Sequence, residues 1–184
     1  MAAFADGGLR LGVLIADMSY VNQDEKAAEE AYRALLADRE RPLNTPQKAY
    51  VTFALIRSLD LQFKDREVGP LAETFVASFG TTPTMPRFLL WRANLRTSNL
   101  PKSRPGMPEW ESGMADYAEL VRSFPKTEEA DYACYYMGWS LWVAGEFGGA
   151  VKCFETYRRL YPNGIWKERA EPSLAACRER IPVQ

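Results

Sequence analysis

Residues 132–154 read YACYYMGWSLWVAGEFGGAVKCF, crowding two tryptophans, three tyrosines, two cysteines and four glycines into 23 positions. Helical spacing sorts the first half into two stripes. Cys134, Met137, Gly138 and Leu141 recur at offsets of three and four and form one face, while Tyr132, Tyr135, Trp139 and Trp142 form another. The run AGEFGG (144–149) interrupts the helix, and Ala150 and Phe154 resume an apolar face beyond it. The stretch therefore predicts two helices joined by a tight turn.

A shift of 37 residues maps Trp110 onto Phe147, Gly113 onto Ala150, Met114 onto Val151, Tyr117 onto Phe154, Leu120 onto Tyr157, Phe124 onto Tyr161 and Pro125 onto Pro162. Each pair keeps its size class or its breaker role, so the unit that repeats is a pair of helices. Weaker echoes stand upstream at Ala28/Tyr32 and Ala72/Phe75. Breakers recur at RPLNTP, VGP, GTTPTMP, PKSRPGMP, FPKT, AGEFGG and YPNG. They divide the chain into helices near 9–21, 23–39, 45–63, 69–79, 86–98, 108–124, 127–143 and 147–161, with a shorter closing helix after Pro172. Thr45 is expected as the N-cap of the third helix, with Pro46 at its first position.

The series Cys134-x2-Met137-Gly138-x2-Leu141, Ala150-x3-Phe154 and Pro162 resembles the tetratricopeptide repeat, matching the spacing of W-x2-L-G-x2-Y, A-x3-F and P. The small residues, the phenylalanine and the proline agree; Cys134, Met137 and Leu141 replace the tryptophan, leucine and tyrosine. The best repeat spans 127–162. A degenerate one spans 86–125, interrupted by PKSRPGMP and with Pro101 in the place of the glycine. Helix pairs 9–40, through Ala16, Ala28, Tyr32 and Leu35, and 45–79 fit more loosely, and 165–181 is expected as a capping helix. The resemblance implies one all-α domain over 1–184, a right-handed α-α superhelix (solenoid) of about four antiparallel helix pairs with a closing C-terminal helix. In style it is similar to bacterial envelope proteins of this family, of the Tol-Pal coordinator and outer-membrane assembly lipoprotein type.

Composition narrows the chemistry. With 47 % hydrophobic and 26 % charged residues, a chain of 184 residues can fold without a metal or disulfide staple. It contains no histidine, so the commonest general base, metal ligand and nucleophile-activating partner is missing. Acidic clusters such as QDEKAAEE and KTEEAD stand at helix starts, where they complement the helix dipole, and GEFGG lacks the spacing and lysine of a phosphate loop. Cys134, Cys153 and Cys177 are odd in number, irregularly spaced and without CxxC, and read as buried thiols. No catalytic residue, cofactor or metal is expected. A net charge of -1 gives no global attraction to nucleic acid. GVLIA (12–16) is too short for a signal peptide or a membrane span, so the chain as written reads as cytoplasmic. A leader removed upstream of MAAFADGG would make it periplasmic.

Two features point to a partner. In repeats of the resembled family, the stripe Tyr132, Tyr135, Trp139, Trp142 would line the concave side, offering large contact area at low entropy cost. The alternative is that these rings pack against a neighbouring helix. From Thr74 to Pro108 no acidic residue occurs, whereas Arg87, Arg92, Arg96, Lys102 and Arg104 do. Arg92 and Arg96, one turn apart, would suit an acidic segment of a partner unless Glu109, Glu111 or Asp116 neutralises them. The expectation is a non-catalytic protein-protein interaction scaffold or adaptor, binding a peptide in an aromatic and basic groove. The competing readings are the recognition or regulatory domain of a larger enzyme and a self-assembling structural repeat.

Overall fold

A computed structural model describes residues 7–97 and 104–181, with side chains from residue 11 onward. Lys102 and the first six residues of MAAFADGG lie outside the described residues, as does the Pro101 substitution for glycine. Among the described residues every regular element is an α-helix: α1 (Gly7–Val21), α2 (Glu25–Ala37), α3 (Thr45–Leu61), α4 (Asp65–Phe79), α5 (Met85–Thr97), α6 (Pro108–Ser123), α7 (Glu128–Val143), α8 (Phe147–Leu160) and α9 (Lys167–Glu179). The all-α class and the succession of paired helices are thus as expected. The chain divides into two compact units, Met1–Met85 and Pro86–Gln184.

In the first unit α1 packs on α2, α2 on α3 and α3 on α4. The middle helix, α3, buries Ala49, Val51, Phe53, Leu55, Ile56 and Leu59, because neighbours cover it on more than one side. In the second unit α6, α7, α8 and α9 pack in succession, and α5 lies against α6 through Arg92, Asn94 and Thr97. The core around α7 and α8 consists of Cys134, Tyr135, Ala150, Phe154, Tyr157, Ala170, Leu174 and Cys177.

Three of the hairpins share one turn. Gln23, Phe63 and Gly145 follow α1, α3 and α7 in the left-handed region, at φ 62°, 57° and 82°. The next amide reaches back to the helix in each case: Asp24 to the Ser19 carbonyl at 2.9 Å, Lys64 to Leu59 at 3.0 Å and Glu146 to Leu141 at 2.9 Å. This is the Schellman arrangement, which satisfies carbonyls that a helix end leaves bare. It fixes the register of the repeats better than side-chain likeness does. Counted from the turn, Val68 rather than Ala72 takes the place of Ala28 and Ala150, and Ala72 takes that of Tyr32 and Phe154. The Ala72/Phe75 echo is therefore displaced by one helical turn.

Three boundaries differ from the sequence reading. The N-cap of α3 is Asn44, not Thr45, and it forms a reciprocal capping box with Gln47. The segment VGP does not interrupt a helix, since α4 begins at Asp65 and carries Pro70 inside it. Likewise α9 begins at Lys167, ahead of Pro172, though it lies within the 165–181 expected for a capping helix. Both prolines face solvent, so water can take up a carbonyl deprived of its amide partner.

Close crossings hold the pairs together. A Cβ added at Gly138 would stand 2.8 Å from the Phe154 ring, which is fully buried and cannot yield. Gly148, also helical, has nothing within 4 Å. Gly138→Ala should therefore cost about 1–3 kcal/mol by overpacking, whereas Gly148→Ala should add about 0.5–1 kcal/mol by stiffening the unfolded chain. Opposite shifts in the thermal midpoint, followed by circular dichroism, are expected.

Polar ties reinforce the first unit. Asp17 on α1 accepts hydrogen bonds from Tyr32 at 2.7 Å and Tyr50 at 2.6 Å. Glu29 on α2 takes Lys64 at 2.5 Å, the Gln62 amide at 2.9 Å and Arg33 at 2.9 Å. Burial would raise the Glu29 carboxyl, but the donors from Lys64, Arg33 and Gln62 outweigh it and hold the group at about 2, below its ordinary 4.5. A carboxyl depressed by folding stabilises fully above about pH 5, and the contribution is lost as pH falls from there through 2. Glu29→Gln should flatten the pH dependence of the melting temperature over that window relative to the unsubstituted chain.

Candidate partner-binding face

The aromatic stripe of α7 is not uniform in its surroundings. Its helix starts at Thr127, whose hydroxyl caps the Ala130 amide, and its core face meets α8 through Cys134 and Gly138. Tyr135 is only 3 % exposed. Its ring stacks on Trp166 with centroids 5.2 Å apart and 12° between planes, and it touches Phe154 and Tyr157 on its other edges. Tyr135 is therefore part of the core, a correction to its expected place among the open anchors. The loop that delivers Trp166 covers it.

Of the rest of the stripe, Trp139 is exposed, whereas Tyr132 and Trp142 are partly buried. Tyr132 and Tyr136 stack face to face at 4.0 Å, and both meet Trp166 edge-on at 5.5 Å. Trp139 is 37 % exposed and leans on Trp142 at 4.7 Å. Trp142 is half-buried against the core, and among the described residues its Nε1–H meets no acceptor. Val143 follows, exposed, at the end of the helix. The result is a wall of half-exposed rings along α7, continued by Trp166 and by Arg169, whose guanidinium lies 5.2 Å from the Trp166 ring.

Trp166 stands where it does because its loop is pinned. Asp131, buried in the first turn of α7, accepts the Tyr157 hydroxyl at 2.7 Å and the Ile165 amide at 2.8 Å. The same hydroxyl accepts the Trp166 amide at 2.9 Å. Gly164 passes so close that a Cβ there would come within 2.8 Å of the Asp131 carboxylate. Burial, with the Asp131 bond, pushes the Tyr157 phenol well above its ordinary value, so it remains a donor.

The arginines lie elsewhere. Arg92 makes a two-pronged contact with Asp116 at 2.8 and 2.6 Å, and Arg96 reaches the same carboxylate at 3.2 Å and Ser112 at 2.6 Å. Arg87 instead pairs with Glu129 on α7 at 3.3 Å. At about 100° per residue, Arg92 and Arg96 stand about 140° and 180° around α5 from Arg87. They turn to α6 and away from the aromatic wall. The expected union of aromatic and basic stripes is not formed, because Asp116, 6 % exposed, takes both charges.

Sequence reasoning missed two members of the wall. Tyr136 could have been found from its offset of four from Tyr132. Trp166 belongs to a loop, where helical periodicity carries no information. A shallow cleft of about 360 Å³ opens between Lys126, Glu128, Asp131, Tyr161 and Ile165. Its deepest carboxylate, Asp131, is already bonded as described. Burial pushes the Cys134 thiol up to about 12 and raises those of Cys153 and Cys177, so none has thiolate character at neutral pH. Cys153 is half-buried where full burial was expected. Among the described residues, no three His, Cys, Asp or Glu side chains gather as a metal site, and no helix is long and apolar enough to cross a membrane.

Tyr157→Phe should remove the group that joins Asp131 to the Trp166 amide, at a cost of about 2 kcal/mol for the buried partners left short. Hydrogen exchange should accelerate at the Ile165 and Trp166 amides more than at the centre of α8.

Compared with known proteins, the chain matches no protein-family model and no curated protein.

Proposed function

We propose that the chain is a non-catalytic, tetratricopeptide-type interaction module that grips an apolar segment of a protein partner on the aromatic wall of α7. The observation that carries this reading is the partial exposure of Trp139 and its supporting ring Trp142, flanked by the Tyr132/Tyr136 stack. Rings fixed by neighbouring rings lose little freedom on binding, so most of their contact energy remains available. An exposed tryptophan beside a half-buried one has the anatomy of a hot spot with its surrounding seal. The acidic-segment preference expected from Arg92 and Arg96 has little support here, since both are engaged by Asp116. Aliphatic, proline or aromatic side chains are the better complement to the wall. A role as the recognition part of a larger enzyme would use the same face.

The test is a panel of fluorescent peptides, matched in length and divided into apolar proline-containing, acidic and basic sets, titrated against the full chain. Binding by the apolar set and weakening by at least about 30-fold in Trp139→Ala, the size of a hot-spot loss, are expected. Selected peptides that bind Trp139→Ala unchanged would place recognition elsewhere.

A further inference from the structure

The aromatic wall ends in an exposed cation. Trp166 is enclosed by rings, with Tyr135 stacked on it at 5.2 Å and Tyr132 and Tyr136 edge-on, and the Arg169 guanidinium lies over it at 5.2 Å. Arg169 is exposed, and among the described residues no carboxylate pairs with it. The acids that could have done so are turned elsewhere or fall short: Glu129 meets Arg87, Asp131 takes the Tyr157 hydroxyl and the Ile165 amide, and Glu171 lies 4.0 Å from Arg158. A cation in the first turn of a helix opposes the helix dipole, so α9 itself gains nothing from an arginine at that place.

The contact with Trp166 steadies the guanidinium through its face. Its N–H donors lie in its plane and remain for a carboxylate, which they fit as a fork. A side chain already steadied loses less freedom on pairing than a loose surface arginine does. Position sets where that carboxylate must stand. From Tyr132 to Trp142 the wall runs about 15 Å along α7, at about 1.5 Å per residue, and an extended chain covers that length in about four or five residues. Trp166 and Arg169 lie at the Tyr132 end of this run. A carboxylate in the middle of the segment would instead lie against Trp139 and lose water without gaining a partner.

We propose that the segment gripped by α7 carries one aspartate or glutamate side chain just beyond its apolar stretch, held by the N–H edge of Arg169. The inference rests on the proposed grip by Trp139 and names what stands at the end of the segment. Fluorescence anisotropy with the full chain tests it, using one apolar, proline-containing peptide blocked at both ends. The peptide is made with glutamate at its first or last position, with glutamine or lysine there, or with glutamate at its centre. One end-placed glutamate should bind about 5-fold more tightly than glutamine, the upper range for an exposed ion pair. The gain should fade at about 0.5 M salt and vanish in Arg169→Gln. Arg169→Glu should invert the preference towards lysine, which damage to the fold could not do. Glutamate and glutamine peptides that bind alike, while Trp139→Ala still weakens both, would overturn the inference and leave the wall standing. So would tightest binding by the central glutamate, or by an unblocked peptide whose only carboxylate is its C-terminus. If no apolar peptide binds, or Trp139→Ala leaves binding unchanged, the grip itself falls and this inference with it.

Discussion

The close approach of paired helices, made at positions without room for a side chain, is the constraint on which the rest of the structure depends. It is plainest at two crossings. Gly138 on α7 admits the Phe154 ring of α8, and Gly113 on α6 admits Ala93, Arg96 and Thr97 of α5, whereas at Gly12 on α1 a Cβ would stand 3.0 Å from the end of the half-buried Leu35 side chain of α2, which can give way. A glycine inside a helix costs about 1 kcal/mol against alanine, so its presence at a crossing means that packing returns more than propensity removes. At the α7–α8 crossing the return is visible: Phe154 and Tyr157 are fully buried. Once the helices lie that close, the side chains on their outer arcs are left to other tasks.

Much of the fold was legible because the crossing residues and the turns leave marks at fixed offsets. The 37-residue shift paired Gly113 with Ala150 and Tyr117 with Phe154, and both pairs lie in the cores of their hairpins. Where the reading slipped, a backbone rule had been hidden by a side-chain one. The left-handed turn residue is glycine in one hairpin but Gln23 and Phe63 in two others, so no glycine marked the repeat there. Phe63 keeps its turn although 87 % exposed; the hydrogen bonds of the Schellman arrangement, rather than burial of its ring, hold it. Pro70 and Pro172 misled for the opposite reason, since breakers on a solvent-facing arc near a helix start break little.

The candidate site was only half legible. Periodicity identified which rings share a face of α7, but it could not say what the next element would lay over them. That depended on a loop residue, Trp166, whose position follows from the Asp131–Tyr157 tie and the narrow passage at Gly164. None of these has a signature in helical spacing. The arginines failed differently. A stretch without acidic residues looks basic along the chain, yet a single carboxylate at Asp116, beyond its end, neutralises much of it in space. A charge census along sequence counts neighbours that folding does not keep.

Fold and recognition meet in the division of labour among the aromatics. Tyr135 and Trp166 are stacked into the core side of the wall, and that stack supports Tyr132 and Tyr136. Trp142 does the same for Trp139 from below. Each surface ring thus stands on a ring that is itself held, so the wall is set by the folding of α7, α8 and the α8–α9 loop before any partner arrives. In the proposed reading this is why an apparently excessive density of aromatics is concentrated in one hairpin. Half of them stabilise the shape, and the others use that shape as a rigid face whose ordering cost has already been met.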